Sequence, residues 1–121
     1  MGKLSALAGA SWQPCRLLQT RTRTRNVIYS NNVHLHGPLG MIQAPNGDLI
    51  VSNNDAVNPD PNHPSELVEF TKDGQFVKQI SVDPAQGGSF GLAVPTSGAA
   101  AKLAAVDDNQ NILLIWTLKL P

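Results

Sequence analysis

Cysteine is almost missing from this 121-residue chain, and its scarcity removes two common ways of holding a small protein together. The single thiol, Cys15, excludes an intrachain disulfide framework and any zinc site made from several cysteines. Long apolar runs are also missing, so no segment is long enough to span a membrane. Neither a Gly-x-Ser-x-Gly elbow nor a phosphate-cradling glycine loop occurs. Gly87-Gly88 precedes a strand rather than a helix, and Ser89 has no visible base. These gaps speak against catalysis and leave room for one small domain of ordinary hydrophobic content.

Charge is balanced overall but unevenly placed. Residues 1–47 carry Lys3, Arg16, Arg21, Arg23 and Arg25 and no acid, giving +5, whereas residues 48–121 carry nine acids and four lysines, giving −5. The split puts a composition boundary between Arg25 and Asp48. Residues 1–26 read as a basic tail or a weak targeting-like segment. The positive start and Ala8-Gly9-Ala10 resemble parts of a secretory signal, although Ser5 and Gly9 interrupt the apolar stretch. The Arg- and Thr-rich composition would equally suit an organelle transit peptide. Arg21, Arg23 and Arg25 alternate with Thr and would share one face of a strand, where they could attract phosphates. No aromatic residue is interleaved with them and the rest of the chain is acidic, so nucleic acid is not the expected partner.

The remainder, residues 27–121, reads as all-β. Asn46-Gly47 lies between the apolar pairs Met41–Ile42 and Leu49–Val51, and Asp73-Gly74 lies between Leu67–Phe70 and Phe76–Ile80. Both dipeptides suit tight hairpins in which each central residue takes positive φ. Strands are expected at about residues 39–44, 48–52, 66–71 and 75–81. Leu49-Ile50-Val51 is a continuous apolar run, as in a strand covered on both faces, while the last strand is mixed and should meet water.

A second, shorter copy follows, with strands expected at about residues 90–94, 102–106 and 112–118. Gly40 aligns with Gly91, Val51 with Val106 and Phe70 with Trp116, the offsets changing only across loops. This copy lacks a fourth strand, which Asn26–Ser30 could supply unless that segment closes a preceding unit.

GPLGMIQAPNGDLIVSN followed by ELVEFTKDGQFVKQI resembles a blade of the NHL-like six-bladed β-propellers, and the chain as a whole resembles the C-terminal, about two-blade portion of such a protein. The resemblance implies antiparallel β-sheet blades of a partial β-propeller at about residues 37–81 and 89–118. It also implies an extracytoplasmic or secreted setting. A propeller ring takes about four to eight blades. This chain would therefore be a piece of a longer propeller or a protomer completing a ring with copies of itself. The exposed blade face and strand edge left on two blades favour association.

Propeller topology would gather His34 and His36, the Asn53–Ser65 loop, Asp83–Gly88 and Asp107–Asn111 at one end, with the two glycine hairpins at the other. Asn53, Asn54, Asp55, Asp107 and Asp108 are the candidate ligand-binding residues there. The loop beginning at Asn53 is rich in oxygen donors but lacks EF-hand spacing, and Pro59, Pro61 and Pro64 point to a stiff loop with ordinary turn chemistry. His34-x-His36 could form a metal pair if it lay in a strand, with His63 the only further histidine. The following Gly37-Pro38 instead suggests a turn with solvent-exposed histidines. Paired carboxylates at Asp107-Asp108 could share a proton or bind a cation.

The expected function is therefore a non-catalytic binding scaffold that contacts a protein, peptide or small ligand through its loop end. Propeller hydrolases of the gluconolactonase and paraoxonase type use channel Asp, Asn and Glu with calcium. The alternative by resemblance is thus a calcium-assisted lactone or ester hydrolase. A truncated product without activity of its own is the third reading.

Overall fold

Alternating apolar residues punctuated by glycine turns resolve into strands throughout the computed structural model, which describes residues 24–95 and 102–117. The strands are β1 (Pro38–Gln43), β2 (Leu49–Asn53), β3 (Glu66–Phe70), β4 (Phe76–Ser81), β5 (Ser89–Ala93), β6 (Lys102–Asp107) and β7 (Ile112–Thr117). They form two antiparallel meanders, a four-stranded sheet in the order β1-β2-β3-β4 and a three-stranded sheet in the order β5-β6-β7. The fold is all-β, and no helix occurs among the described residues. None is therefore long and apolar enough to cross a membrane. Cys15, Arg21 and Arg23 lie outside the described residues.

The two glycine hairpins share one construction. Ala44 N–H donates to Asp48 O at 2.8 Å and Gly47 N–H to Ala44 O at 2.9 Å; Thr71 and Gly74 repeat both bonds at 2.8 Å. Only the glycines have positive φ, 94° at Gly47 and 88° at Gly74, so Asn46 and Asp73 do not. The expectation of two positive-φ positions is thus corrected. Each loop is a tight turn closed by a left-handed glycine, and Pro45 occupies a turn position its fixed φ suits.

Period-two alternation assigns the faces. Ile42, Ile50 and Leu67 point from the first sheet toward the second, meeting Leu92, Leu103, Ala105 and Trp116. Val51, Val68 and Phe70 point the other way, where Tyr29 and Leu35 pack on them. Ile50 and Val51 are both buried, as a run covered on both faces requires, and Phe76 and Val77 of β4 are exposed.

The strand Asn26–Ser30 does not form. This segment crosses the outer face of the first sheet, Tyr29 lying 4.5 Å from Phe70 between ring centroids. His34 stacks on Phe76 at 3.8 Å. Within the segment Tyr29 alone is half-buried by its contact with Phe70, while Val27 and Ile28 remain exposed.

Register also corrects the repeat. Asn54 N–H donates to Gly37 O, and Asp108 N–H donates to Gly88 O. Gly40 approaches Ser52 as Gly91 approaches Val106. Asn53 therefore corresponds to Asp107, and Val51 to Ala105 rather than to Val106. The matches of Gly40 with Gly91 and Phe70 with Trp116 agree with the pairing. One residue of slip reverses every side chain between faces.

With the register corrected, the stacking is one-sided. The face the first sheet turns outward, with Val51 and Phe70, is the face the second sheet turns inward, with Ala105 and Trp116. The two sheets are stacked head to tail.

A Cβ at Gly74 would collide with the Ile28 carbonyl, whereas at Gly47 it would meet nothing within 4 Å. Gly47→Ala should cost about 1–2 kcal/mol for the left-handed conformation alone. Gly74→Ala should cost more or displace the segment around Ile28, and urea unfolding of both variants measures the difference.

Candidate functional site

The loops after β2, β4 and β6 gather at one end of the stack and are tied by hydrogen bonds that cross between the sheets. Ser65 Oγ donates to Ala85 O at 2.7 Å and accepts from Gly88 N–H at 2.9 Å. Asn54 Nδ2 donates to Ser89 O, and Gly87 N–H donates to Asn54 O at 2.7 Å. Ser89 Oγ in turn donates to Glu66 O at 3.2 Å. Ser52, Ser65 and Ser89 are buried, and these hydroxyls and amides are satisfied within the protein.

The candidate binding residues lie at this end, but most face inward. Asn53 is buried on the Val51 side of β2, and its Nδ2 donates to His34 O at 2.7 Å and to Glu66 Oε1 at 3.0 Å. Asn54 is buried between the sheets. Asp55 is buried with positive φ, its Oδ2 accepting from Asp60 N–H at 2.7 Å. Asp107 is buried beneath its own turn and accepts from Asn109 and Gln110 N–H. Asp108 is exposed, so its neighbour and it occupy different environments rather than forming a carboxylate pair.

The histidines depart from the exposed-turn reading in one respect. His34 and His36 do lie in a turn and a bend, but His36 is buried and only His63 is exposed. His36 Nδ1 faces Asn58 O at 2.9 Å and Nε2 faces Val33 O at 3.2 Å. Carbonyls only accept, so both bonds form together when the ring is a doubly protonated imidazolium. Burial works to lower the His36 pKa, but those carbonyls and the nearby Asp55 and Asp60 outweigh it, and the pKa is raised. Asp60 Oδ2 lies 3.8 Å from His36 and 3.1 Å from His63. Its pKa is lowered, chiefly by the Asn62 N–H bond and then by His63.

Glu66 is the functional-looking group missed in the sequence. It shares a face with Val68 and Phe70, and that alternation was the available signal that it points inward. It is 2 % exposed, and burial pushes its carboxyl up to about 7. Its Oε2 and the Oδ1 of Asn53, the residue directly across the ladder, are both unpartnered acceptors. Asp55 is also raised, again mainly by burial. Asp83 is lowered, first by Gln110 Nε2 at 2.8 Å and then by Ala85 N–H at 2.6 Å and Asn109.

Calcium takes about six to eight oxygens. Among the described residues no three His, Cys, Asp or Glu side chains converge as metal ligands. Asp55 Oδ1 and Asp107 Oδ2 are each left without a partner in separate loops. No family model, curated protein or solved structure matches the chain.

The raised groups fix the direction of the pH dependence. A carboxyl whose pKa rises on folding makes the fold bind more protons than the unfolded chain, so stability falls as pH climbs from 4.5 to about 7. His36, also raised, adds a loss in the same direction. The lowered Asp60 and Asp83 take stability away below their ordinary value of 3.8. Stability should therefore peak at mildly acidic pH. Glu66→Gln, neutral at every pH, should flatten the neutral limb and gain up to about 3 kcal/mol at alkaline pH. Urea midpoints across the pH range measure this.

Proposed function

We propose that this chain is a non-catalytic interaction module of β-propeller type, made of two blades and incomplete by itself. The observation that supports this most is the head-to-tail stacking of two equivalent sheets with their loops at one end. A propeller blade meets its neighbours in that one-sided way, and an isolated sandwich has no need to. The loop end then offers a hydrogen-bonding surface to a protein, peptide or small ligand. The exposed side chains there include Asp108, Asn109, Gln110, Asn58 and His63. Asn53, Asn54, Asp55 and Asp107 act beneath that surface by holding the loops in place.

The hydrolase reading finds less support, because no three His, Cys, Asp or Glu side chains converge as metal ligands among the described residues. Thermal unfolding with millimolar calcium and with chelator, run beside a lactone and ester hydrolysis assay, separates the readings. The interaction module should give one cooperative transition whose midpoint calcium does not move, and no turnover. A bound cation would stabilise by about 2.7 kcal/mol at a hundredfold excess over its Kd. A calcium-dependent midpoint with chelator-sensitive hydrolysis would overturn the module. A broad, non-cooperative melt would instead favour a truncated product.

A further inference from the structure

The internal interface specifies what its own two open ends fit. Within the chain, β5 packs on β1 and β2. The receiving surface on the first sheet includes Gly40, Ile42, Ile50 and Leu67. Their register equivalents in the second sheet are Gly91, Ala93, Ala104 and Leu113, and these line one apolar groove with Val106 and Ile115. Leu67 is 1 % exposed, while its equivalent Leu113 is 78 % exposed. The same structural position is covered in one sheet and bare in the other.

The inserting surface is bare along its β1 edge at the opposite end. In the second sheet it is the Leu92 side of β5, and its equivalent in the first sheet is the Met41 side of β1. Met41 and Leu39 are 62 % and 55 % exposed. They line a second apolar groove of about 370 Å³ with Leu49 and Val51. Tyr29 and Leu35 pack on Val51, Val68 and Phe70, and with Ile28 they border this groove, so the part left open is the β1 edge with Leu39 and Met41. The open edge corresponds to the β5 side of the internal interface, whereas Val51 and Phe70, the equivalents of Ala105 and Trp116, are covered.

We propose that the chain associates with copies of itself head to tail, the Met41 side of β1 in one copy docking on the Ala104–Leu113 face of the next as β5 docks on β1 and β2 within a chain. The contact is heterologous, because each copy contributes a different face, and it closes into a ring when the rotation per copy permits. About three two-blade chains would complete a ring of about six. This names the partner of two faces of the interaction module and rests on that reading only for the equivalence of the sheets.

The test uses the full chain and two variants at exposed positions. Leu113→Asp blocks the receiving face and leaves the inserting one; Met41→Asp does the reverse. By light scattering the unmodified chain should form a discrete oligomer. Each variant alone should be a monomer, and their equimolar mixture should form a one-to-one dimer joined by the one intact interface. A monomeric unmodified chain, continued self-association of either variant alone, or a mixture that stays monomeric would each overturn the proposal. The same mixing with Ile115→Lys and Leu39→Lys replaces either variant that loses its β-sheet circular dichroism. A monomer whose melt is cooperative and insensitive to calcium would refute self-association and leave the interaction-module reading standing.

Discussion

Burial of Ile50 and Leu67 against Leu103 and Ala105 is the contact on which the rest of the molecule depends. A small meander has two faces and cannot cover either by itself. Stacking the sheets covers one face of each. Since large-to-small changes at such sites cost about 2–5 kcal/mol, these few side chains represent a large share of a small domain's stability. The one-sided stacking follows from the same contact, because strand register decides which half of each alternating pattern reaches it. What remains open at either end is then a consequence of geometry rather than of composition.

The polar end of the stack is subordinate to that core. Ser65, Ser89 and Asn54 bond across the sheets to backbone carbonyls there. Glu66 and His36 extend the arrangement into groups that titrate. Both are most comfortable protonated, the first because burial disfavours its charge and the second because its two carbonyl partners need two ring N–H donors. Increasing pH therefore loosens the loop end before it reaches the apolar contact, which carries no titrating group.

Much of the fold was legible in the sequence. Asn-Gly and Asp-Gly between alternating apolar residues marked both hairpins, and the seven strands fall within a residue or so of the expected bounds. The detailed turn chemistry was less legible, because Asn-Gly and Asp-Gly suit both a turn with two positive-φ residues and one closed by a single left-handed glycine. The repeat was readable at glycine and aromatic positions but slipped at Val51, since valine, alanine and leucine run together on β6 and either register looks apolar. Asn26–Ser30 reads as a strand by propensity, yet aromatic packing over Phe70 took it elsewhere. Asn53, Asp55 and Asp107 look like solvated loop residues in sequence. Their burial depends on which loops the topology brings together, and no local pattern carries that information.

The central claim is that the second sheet turns Leu103, Ala105 and Trp116 toward the first. Nuclear Overhauser contacts between the Trp116 indole or the Leu103 methyls and the methyls of Ile42, Ile50 and Leu67 test it most directly. The account predicts those contacts, and predicts none from Val106, Leu113 or Ile115 to Ile50 or Leu67. The opposite set would mean that the second sheet is flipped by a one-residue slip, and the head-to-tail equivalence would fall with it.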